Sequence, residues 1–66
     1  MSVAKVIEIT AESPEGFEDA IRQGISKAKE TVRNITGAWV NEHSVAIRDG
    51  EIAGYRVNLK VTFLLD

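Results

Sequence analysis

The side chains best suited to chemistry lie close together in one short stretch of this chain, NITGAWVNEH, residues 34–43. It contains the only tryptophan, Trp39, and the only histidine, His43. Glu42, His43 and Ser44 place a carboxylate, an imidazole and a hydroxyl side by side, which are the three groups of a hydrolytic triad. Neighbouring side chains of a strand point to opposite faces, however, so these three cannot converge on one substrate atom. We therefore expect no enzyme.

Acidic residues offer a second kind of chemistry, the binding of a cation. Asp49 and Glu51 lie on either side of Gly50 at a predicted turn. Calcium prefers about 6–8 oxygen ligands, so two carboxylates are too few unless other copies of the chain contribute. Further acidic residues crowd the start of a predicted helix, where compensation of the helix dipole explains them: Glu12, Glu15, Glu18 and Asp19. The glycines form no phosphate-binding loop.

Length and composition favour an oligomer. The chain has 66 residues and no cysteine, so we expect one domain over residues 1–66 that is not stabilised by disulfides. A chain this short buries only about 60% of the surface that its unfolded form exposes, and it often needs partner subunits. We therefore expect contacts between copies to supply part of the stability.

Charge and hydropathy exclude several classes of partner. The net charge is −2 with both signs interspersed, and no basic run indicates nucleic acid. No apolar run approaches the roughly 20 residues of a membrane-spanning helix. The first residues also lack the layout of a signal peptide, so the cytoplasm is the expected location.

The periodicity predicts one strand, one long helix and two further strands. Residues 3–10 alternate as a strand with one strongly apolar face. Ser13 and Pro14 suit the N-cap and the first position of a helix. An apolar stripe from Phe17 to Ile35 then predicts a helix of about six turns. Gly24 lies inside this stripe, which indicates that the helix closely approaches the structure beneath it.

Asn34 and Gly37 are expected to stop the helix. A second strand is predicted near 38–47, and Asp49-Gly50 is typical of a hairpin turn. In the last strand, the apolar residues from Tyr55 to Leu65 alternate with polar ones. The expected fold is α+β, with β-α-β-β order and the helix packed on one face of a three-stranded antiparallel sheet whose central strand is the last one.

That arrangement leaves one sheet face and two sheet edges open. Val6, Val40 and Leu64 are expected on the open face, among polar residues from the last strand. An open, half-polar face with free edges fits subunits that pack sheet against sheet.

The whole chain resembles the dodecins. The likeness rests on the first strand KVIEIT, on the helix end Glu-Thr-Val-Arg-Asn-Ile at residues 30–35, and above all on the last strand GYRVNLKVTFLLD. The resemblance implies a hollow assembly of twelve β-α-β-β protomers. It also implies that pairs of flavins stack between protomers and are stored or sequestered without catalysis.

The resemblance assigns three positions to the flavin site. Gly37 occupies the position of the family's flavin-stacking tryptophan, and Arg56 that of the glutamine that hydrogen-bonds the flavin ring. Glu42 matches the carboxylate that reaches the ribityl chain. Glycine supplies no stacking, and arginine offers only hydrogen-bond donors. Arg56 is therefore expected either to bind an anion or to pair with Glu42 across the hairpin.

Trp39 follows the family's tryptophan position by two residues. In a regular strand, Trp39 and Gly37 share a face and lie about 7 Å apart, so Trp39 can form a displaced ligand wall. If the start of the strand bulges, Trp39 changes face and packs under the helix or in a subunit contact.

Two functions follow from these alternatives. The first is a non-catalytic binding and storage protein with sites between subunits for riboflavin, FMN or a related ligand, lined by Gly37, Trp39, Glu42 and Arg56. The second is an assembly of the same shape that does not bind flavin, whose sites are closed and which binds calcium or another cation.

Overall fold

The computed structural model describes residues 2–65, so Met1 and Asp66 of the predicted 1–66 domain lie outside the described residues. Four elements follow one another: β1 (Ala4–Ser13), α1 (Phe17–Ala28), β2 (Ile35–Arg48) and β3 (Glu51–Leu64). β3 lies between β1 and β2 and is antiparallel to both. The predicted fold class, element order and central last strand are confirmed.

The core lies between α1 and the sheet face that it covers. Val57, Leu59 and Val61 of β3 are fully buried, and Ala20 of α1 packs against them. Partly buried apolar side chains from the other elements surround this cluster: Ile7, Ile9, Ala11, Phe17, Ile21, Ile25 and Ile35. The alternation predicted for β3 therefore sets the inner face, although Leu65 follows the end of the strand and is exposed.

Gly24 allows α1 to lie close to the sheet, as the sequence predicts. A Cβ atom added at this position would lie 3.2 Å from Ala11 Cβ and 3.2 Å from Leu59 Cδ1. Few real Cβ atoms have neighbours this close in a packed interior. The missing side chain is therefore a packing requirement and offsets the low helix propensity of glycine.

The predicted helix start is wrong. Ser13 is the last residue of β1, α1 begins at Phe17, and Gly16 is the N-cap with no side-chain cap. The Ser13 hydroxyl is fully buried, where it accepts a hydrogen bond from the Glu15 amide at 3.0 Å and donates to Asp19 Oδ2 at 2.5 Å. Pairing of Ser13 with Tyr55 in the sheet outcompetes the cap geometry, and the hydroxyl closes the following turn instead.

The predicted helix end is also wrong, because α1 has 12 residues and stops at Ala28. The Thr31 and Val32 amides both donate to the Ala28 carbonyl, which tightens the chain into turns. Asn34 then adopts a positive φ of 63° and redirects the backbone, so that Ile35 pairs with Phe63 in the sheet. Strand pairing of the β-branched Ile35 therefore prevails over helical periodicity.

The β2–β3 hairpin extends well beyond the rest of the protomer. Asp49 and Gly50 have φ values of 53° and 77°, as the predicted hairpin turn requires. β1 ends opposite Tyr55, so the hairpin from that level to the turn pairs only with itself. The protomer is consequently 51 Å long and only 19 Å by 14 Å across, and Ile47 and Ile52 are exposed on the projecting arm.

Candidate ligand-binding face

The sheet face turned away from α1, here called the far face, carries the candidate site residues. Directly opposed residues of antiparallel strands share a face, so the register defines four rows across β1, β3 and β2. The rows are Val6–Thr62–Gly37, Glu8–Lys60–Trp39, Thr10–Asn58–Glu42 and Glu12–Arg56–Ser44. Successive rows lie about 7 Å apart, because each step is two strand residues.

A β-bulge turns Gly37 and Trp39 onto the far face. The register shifts between Ile35 and Gly37, so Ile35 faces α1 whereas Gly37 and Trp39 face away from it. The bulge precedes both residues, and they therefore share a face, as a displaced ligand wall requires. Trp39 is 67% exposed, so the alternative in which it packs under the helix is wrong. A Cβ atom at Gly37 would meet nothing within 4 Å, which leaves open space beside the indole.

A second bulge brings Glu42 to the same face as Trp39. The two residues are an odd number of positions apart and would face opposite ways in a regular strand. The register shift between Val40 and Glu42 inserts Asn41 and restores Glu42 to the far face, opposite Asn58. Asn41 Nδ2 donates to Asn58 Oδ1 at 2.9 Å, which anchors this irregular segment of the edge strand.

Arg56 pairs with Glu12, not with Glu42. Arg56 Nε and Nη2 both donate to Glu12 Oε1, at 3.0 Å and 2.8 Å. Glu12 lies directly opposite Arg56 on β1, whereas the β2 residue opposite Arg56 is Ser44. The predicted pairing across the hairpin is therefore wrong, because the register places Glu42 one row away from Arg56.

The protomer thus brings together three of the four predicted site residues. Gly37, Trp39 and Glu42 occupy successive rows along the edge strand β2. Arg56 lies on the neighbouring strand, two rows or about 13 Å along the sheet from the Trp39 row, and its side chain extends to β1. A ligand that contacts both Trp39 and Arg56 of one protomer would have to span these two rows, about 13 Å. A shorter ligand would have to contact Trp39 of one copy and Arg56 of another.

Hydrogen bonds join the three strands of the sheet between the Trp39 row and the Arg56 row. Asn58 Nδ2 donates to Thr10 Oγ1 at 3.1 Å, and Asn58 Oδ1 accepts from Asn41. The amide of Asn58 is therefore held from both sides. This ladder fixes a polar surface beside the exposed indole of Trp39.

His43 points to the helix side of the sheet. It lies opposite Val57, and its ring centroid is 4.8 Å from that of Phe17, which also contacts Tyr55 at 5.1 Å. Glu42 and Ser44 lie on the far face, so the predicted separation of these three polar groups is confirmed. The expectation that Val40 lies on the open face is wrong, since Val40 lies opposite the buried Leu59.

Glu12 is the site residue that sequence reasoning missed. The sequence pattern assigns Glu12 to the acidic start of the helix, because Ser13 and Pro14 predict that the helix begins there, whereas Glu12 lies in β1. Extending the alternation of the first strand past Thr10 would have placed Glu12 on the polar face with Glu8 and Thr10. No sequence signal identifies Arg56 as its partner, since the two are 44 residues apart.

The predicted site residues lie outside the two grooves that follow and form no metal-binding cluster among the described residues. Two surface grooves, one of about 510 Å³ between α1 and β1 and one of about 420 Å³ near residues 31–34 and 63–65, are lined by none of Gly37, Trp39, Glu42 and Arg56. Within residues 2–65, no three acidic or histidine side chains cluster closely enough to hold a metal ion. Over the same residues, no helix has the length and apolarity needed to cross a membrane.

The fold and this face define a small α+β protomer with one helix on a three-stranded antiparallel sheet and an open polar face on the other side. The Dodecin family model matches residues 3–66. The chain therefore belongs to the Dodecin family, as the sequence resemblance predicts.

Three relatives illustrate the similarity. Dodecin from Streptomyces davaonensis superposes with a TM-score of 0.94 at 40% identity, covering 98% of this chain and 96% of that one. Calcium dodecin from Mycobacterium tuberculosis is 36% identical over 63 residues, 96% of this chain and 89% of that protein. Its crystal structure, described as a calcium-chelating antigen with a novel calcium-binding site, gives a TM-score of 0.86. Dodecin from Thermus thermophilus is 33% identical over 64 residues, 97% of this chain and 93% of that protein.

Proposed function

We propose that this protein is a non-catalytic binding and storage protein that takes a flat aromatic ligand of the flavin class, riboflavin or FMN, at contacts between copies. The ligand would lie against the far face beside Trp39, with Glu42 one row away. Twelve copies would form the assembly. The cytoplasmic location expected from the sequence stays a prediction.

The exposed indole of Trp39 is the observation that carries this proposal. Large aromatic side chains on a protein surface favour a partner that covers them, and Trp39 is 67% exposed on a largely polar face. The open space at Gly37 gives a planar ring room to lie next to the indole. Stacking of a flat ring on an indole contributes about 1–3 kcal/mol, by analogy with base stacking on aromatic side chains.

The assembly of several copies is supported by how little apolar surface one protomer buries. Fully or largely buried apolar side chains amount to a small cluster around Leu59. Large apolar side chains remain exposed among the described residues: Val3, Val6, Trp39, Val40, Val45, Ile47, Ile52, Leu64 and Leu65. Since Trp39 lines neither of these two grooves and is 67% exposed, a second copy would be needed to enclose a ligand at this residue.

Titration with riboflavin and with FMN tests the proposal. We expect quenching of flavin fluorescence and of Trp39 emission at micromolar ligand, on a sample whose mass by light scattering corresponds to an oligomer. Signals that stay flat up to about 100 μM, equivalent to binding weaker than about −5.5 kcal/mol, would exclude flavin storage. A monomer by light scattering would contradict the proposed sites between copies.

Calcium binding is the second candidate, and the M. tuberculosis relative named calcium dodecin favours it. Calcium prefers about 6–8 oxygen ligands, so carboxylates such as Glu42, or Asp49 and Glu51 at the hairpin turn, would have to come from several copies. Calcium is expected to raise the unfolding temperature if this candidate is correct, and magnesium serves as the control. Equal effects of the two ions, or none, would exclude a specific calcium site.

A further inference from the structure

The guanidinium of Arg56 is already bound by a carboxylate of the same protomer. Its Nε and Nη2 both donate to Glu12 Oε1, at 3.0 Å and 2.8 Å. Two donors of the planar fork, the geometry with which arginine recognises carboxylates and phosphates, are thereby occupied. The positive charge of Arg56 is also balanced within 2.8 Å.

Gly54 provides the space in which the Glu12 side chain lies. A Cβ atom added to Gly54 would lie 3.0 Å from Glu12 Oε2, 3.1 Å from Cδ and 3.2 Å from Cγ. Gly54 is buried although it lies at the base of the projecting arm, next to Tyr55. Its φ is not positive, so the space above it, and not an unusual backbone conformation, accounts for the glycine. The carboxylate is consequently packed in a defined position next to Arg56.

The pair remains open to solvent and to ligands. About half of each side chain is exposed, 46% for Arg56 and 49% for Glu12. A phosphate approaching Arg56 would therefore reach it, but only by displacing Glu12 from the fork or by tolerating a second negative charge beside it. An uncharged ligand encounters neither obstacle.

We propose that Glu12 is a specificity-determining residue that holds Arg56 on the β1 side of the far face and selects uncharged planar ligands over phosphorylated ones. This inference rests on the proposed function for the ligand class, but the Arg56–Glu12 pair and its effect on anions can be tested without a flavin.

Glu12→Gln keeps the shape of the side chain and removes its charge. We expect the ratio of FMN affinity to riboflavin affinity to rise about fivefold over wild type. The reason is that the FMN phosphate can then reach Arg56 without breaking the half-exposed Arg56–Glu12 ion pair. The rise should disappear in the double variant Glu12→Gln, Arg56→Gln, which lacks the released cation. Glu18→Gln is the matched control, because it changes the net charge equally on the exposed side of α1, where Glu18 pairs with Arg22. All variants are compared at equal mass by light scattering.

Inorganic phosphate supplies a readout that does not depend on flavin binding. Phosphate should raise the unfolding temperature of the Glu12→Gln variant more than that of the wild type or the Glu18→Gln control, and the Arg56→Gln double variant should not respond. This result supports the role of Glu12 even if riboflavin fails to bind, in which case only the proposed flavin function is lost. A Glu12→Gln variant whose response to phosphate and whose FMN preference both equal those of the control would overturn the inference.

Discussion

Replacing Trp39 by alanine separates a ligand wall from a subunit contact. About a third of the Trp39 surface is covered in the protomer, since 67% is exposed. A fully buried indole removes about 250 Å² from water, so the covered part is about 80 Å². At about 25 cal/mol per Å², its loss lowers the free energy of unfolding of the protomer by at most about 2 kcal/mol. The fold should therefore survive the change.

Trp39→Ala should weaken ligand binding more severely than it destabilises the fold, because stacking supplies a large share of the binding energy of a flat ligand. Loss of about 1–3 kcal/mol of stacking weakens riboflavin binding by about 5- to 150-fold. Fluorescence titration of riboflavin measures this loss, and light scattering on the same samples measures the assembly. Trp39→Phe should retain part of the affinity because it keeps an aromatic ring.

Val40→Ala is the matched control for this experiment. Val40 is the next residue of β2 and is 41% exposed, but it lies on the helix side of the sheet. Riboflavin affinity should be unchanged in this variant. If Trp39→Ala stays assembled and binds riboflavin as tightly as the wild type, the stacking argument is refuted. If Trp39→Ala instead dissociates into smaller species while Val40→Ala does not, Trp39 belongs to a subunit contact.

Three further changes test the packing and the register. Gly24→Val should lower the free energy of unfolding by about 1–3 kcal/mol through overpacking. Gly37→Val should not lower it, because a Cβ atom at Gly37 meets no neighbour. Urea denaturation of both variants at one protomer concentration measures the difference. Ser13→Ala should lower the free energy of unfolding by about 1–3 kcal/mol, because a buried hydroxyl with two hydrogen-bond partners is lost. An equal loss in Ser26→Ala, at an exposed serine of α1, would contradict this explanation. Gly37→Trp combined with Arg56→Gln should strengthen flavin binding as measured by quenching, and no gain would mean that the alignment with the family positions is out of register.

Much of the fold could be predicted from local patterns. The alternation from Tyr55 to Phe63 predicts the buried face of β3, and Asp49-Gly50 predicts the hairpin turn. Both signals depend only on residues next to one another in the chain, where sequence periodicity and turn chemistry act directly. The predicted start and end of α1 are wrong because they depend on residues far away in the chain. Ile35, the last residue of the helically spaced stripe, pairs in the sheet with Phe63 almost thirty positions away, and the chain leaves the helix at Ala28 to reach it.

The sequence by itself determined the class of the fold, the family and the identity of the side chains available for a ligand: Gly37, Trp39, Glu42 and Arg56. Only the tertiary structure decided which of them act together. The bulge between Val40 and Glu42 turns Trp39 and Glu42 onto one face, although their spacing along a regular strand would separate them. The antiparallel register then pairs Arg56 with Glu12. Bulges and register depend on contacts between distant strands, which no local sequence pattern records.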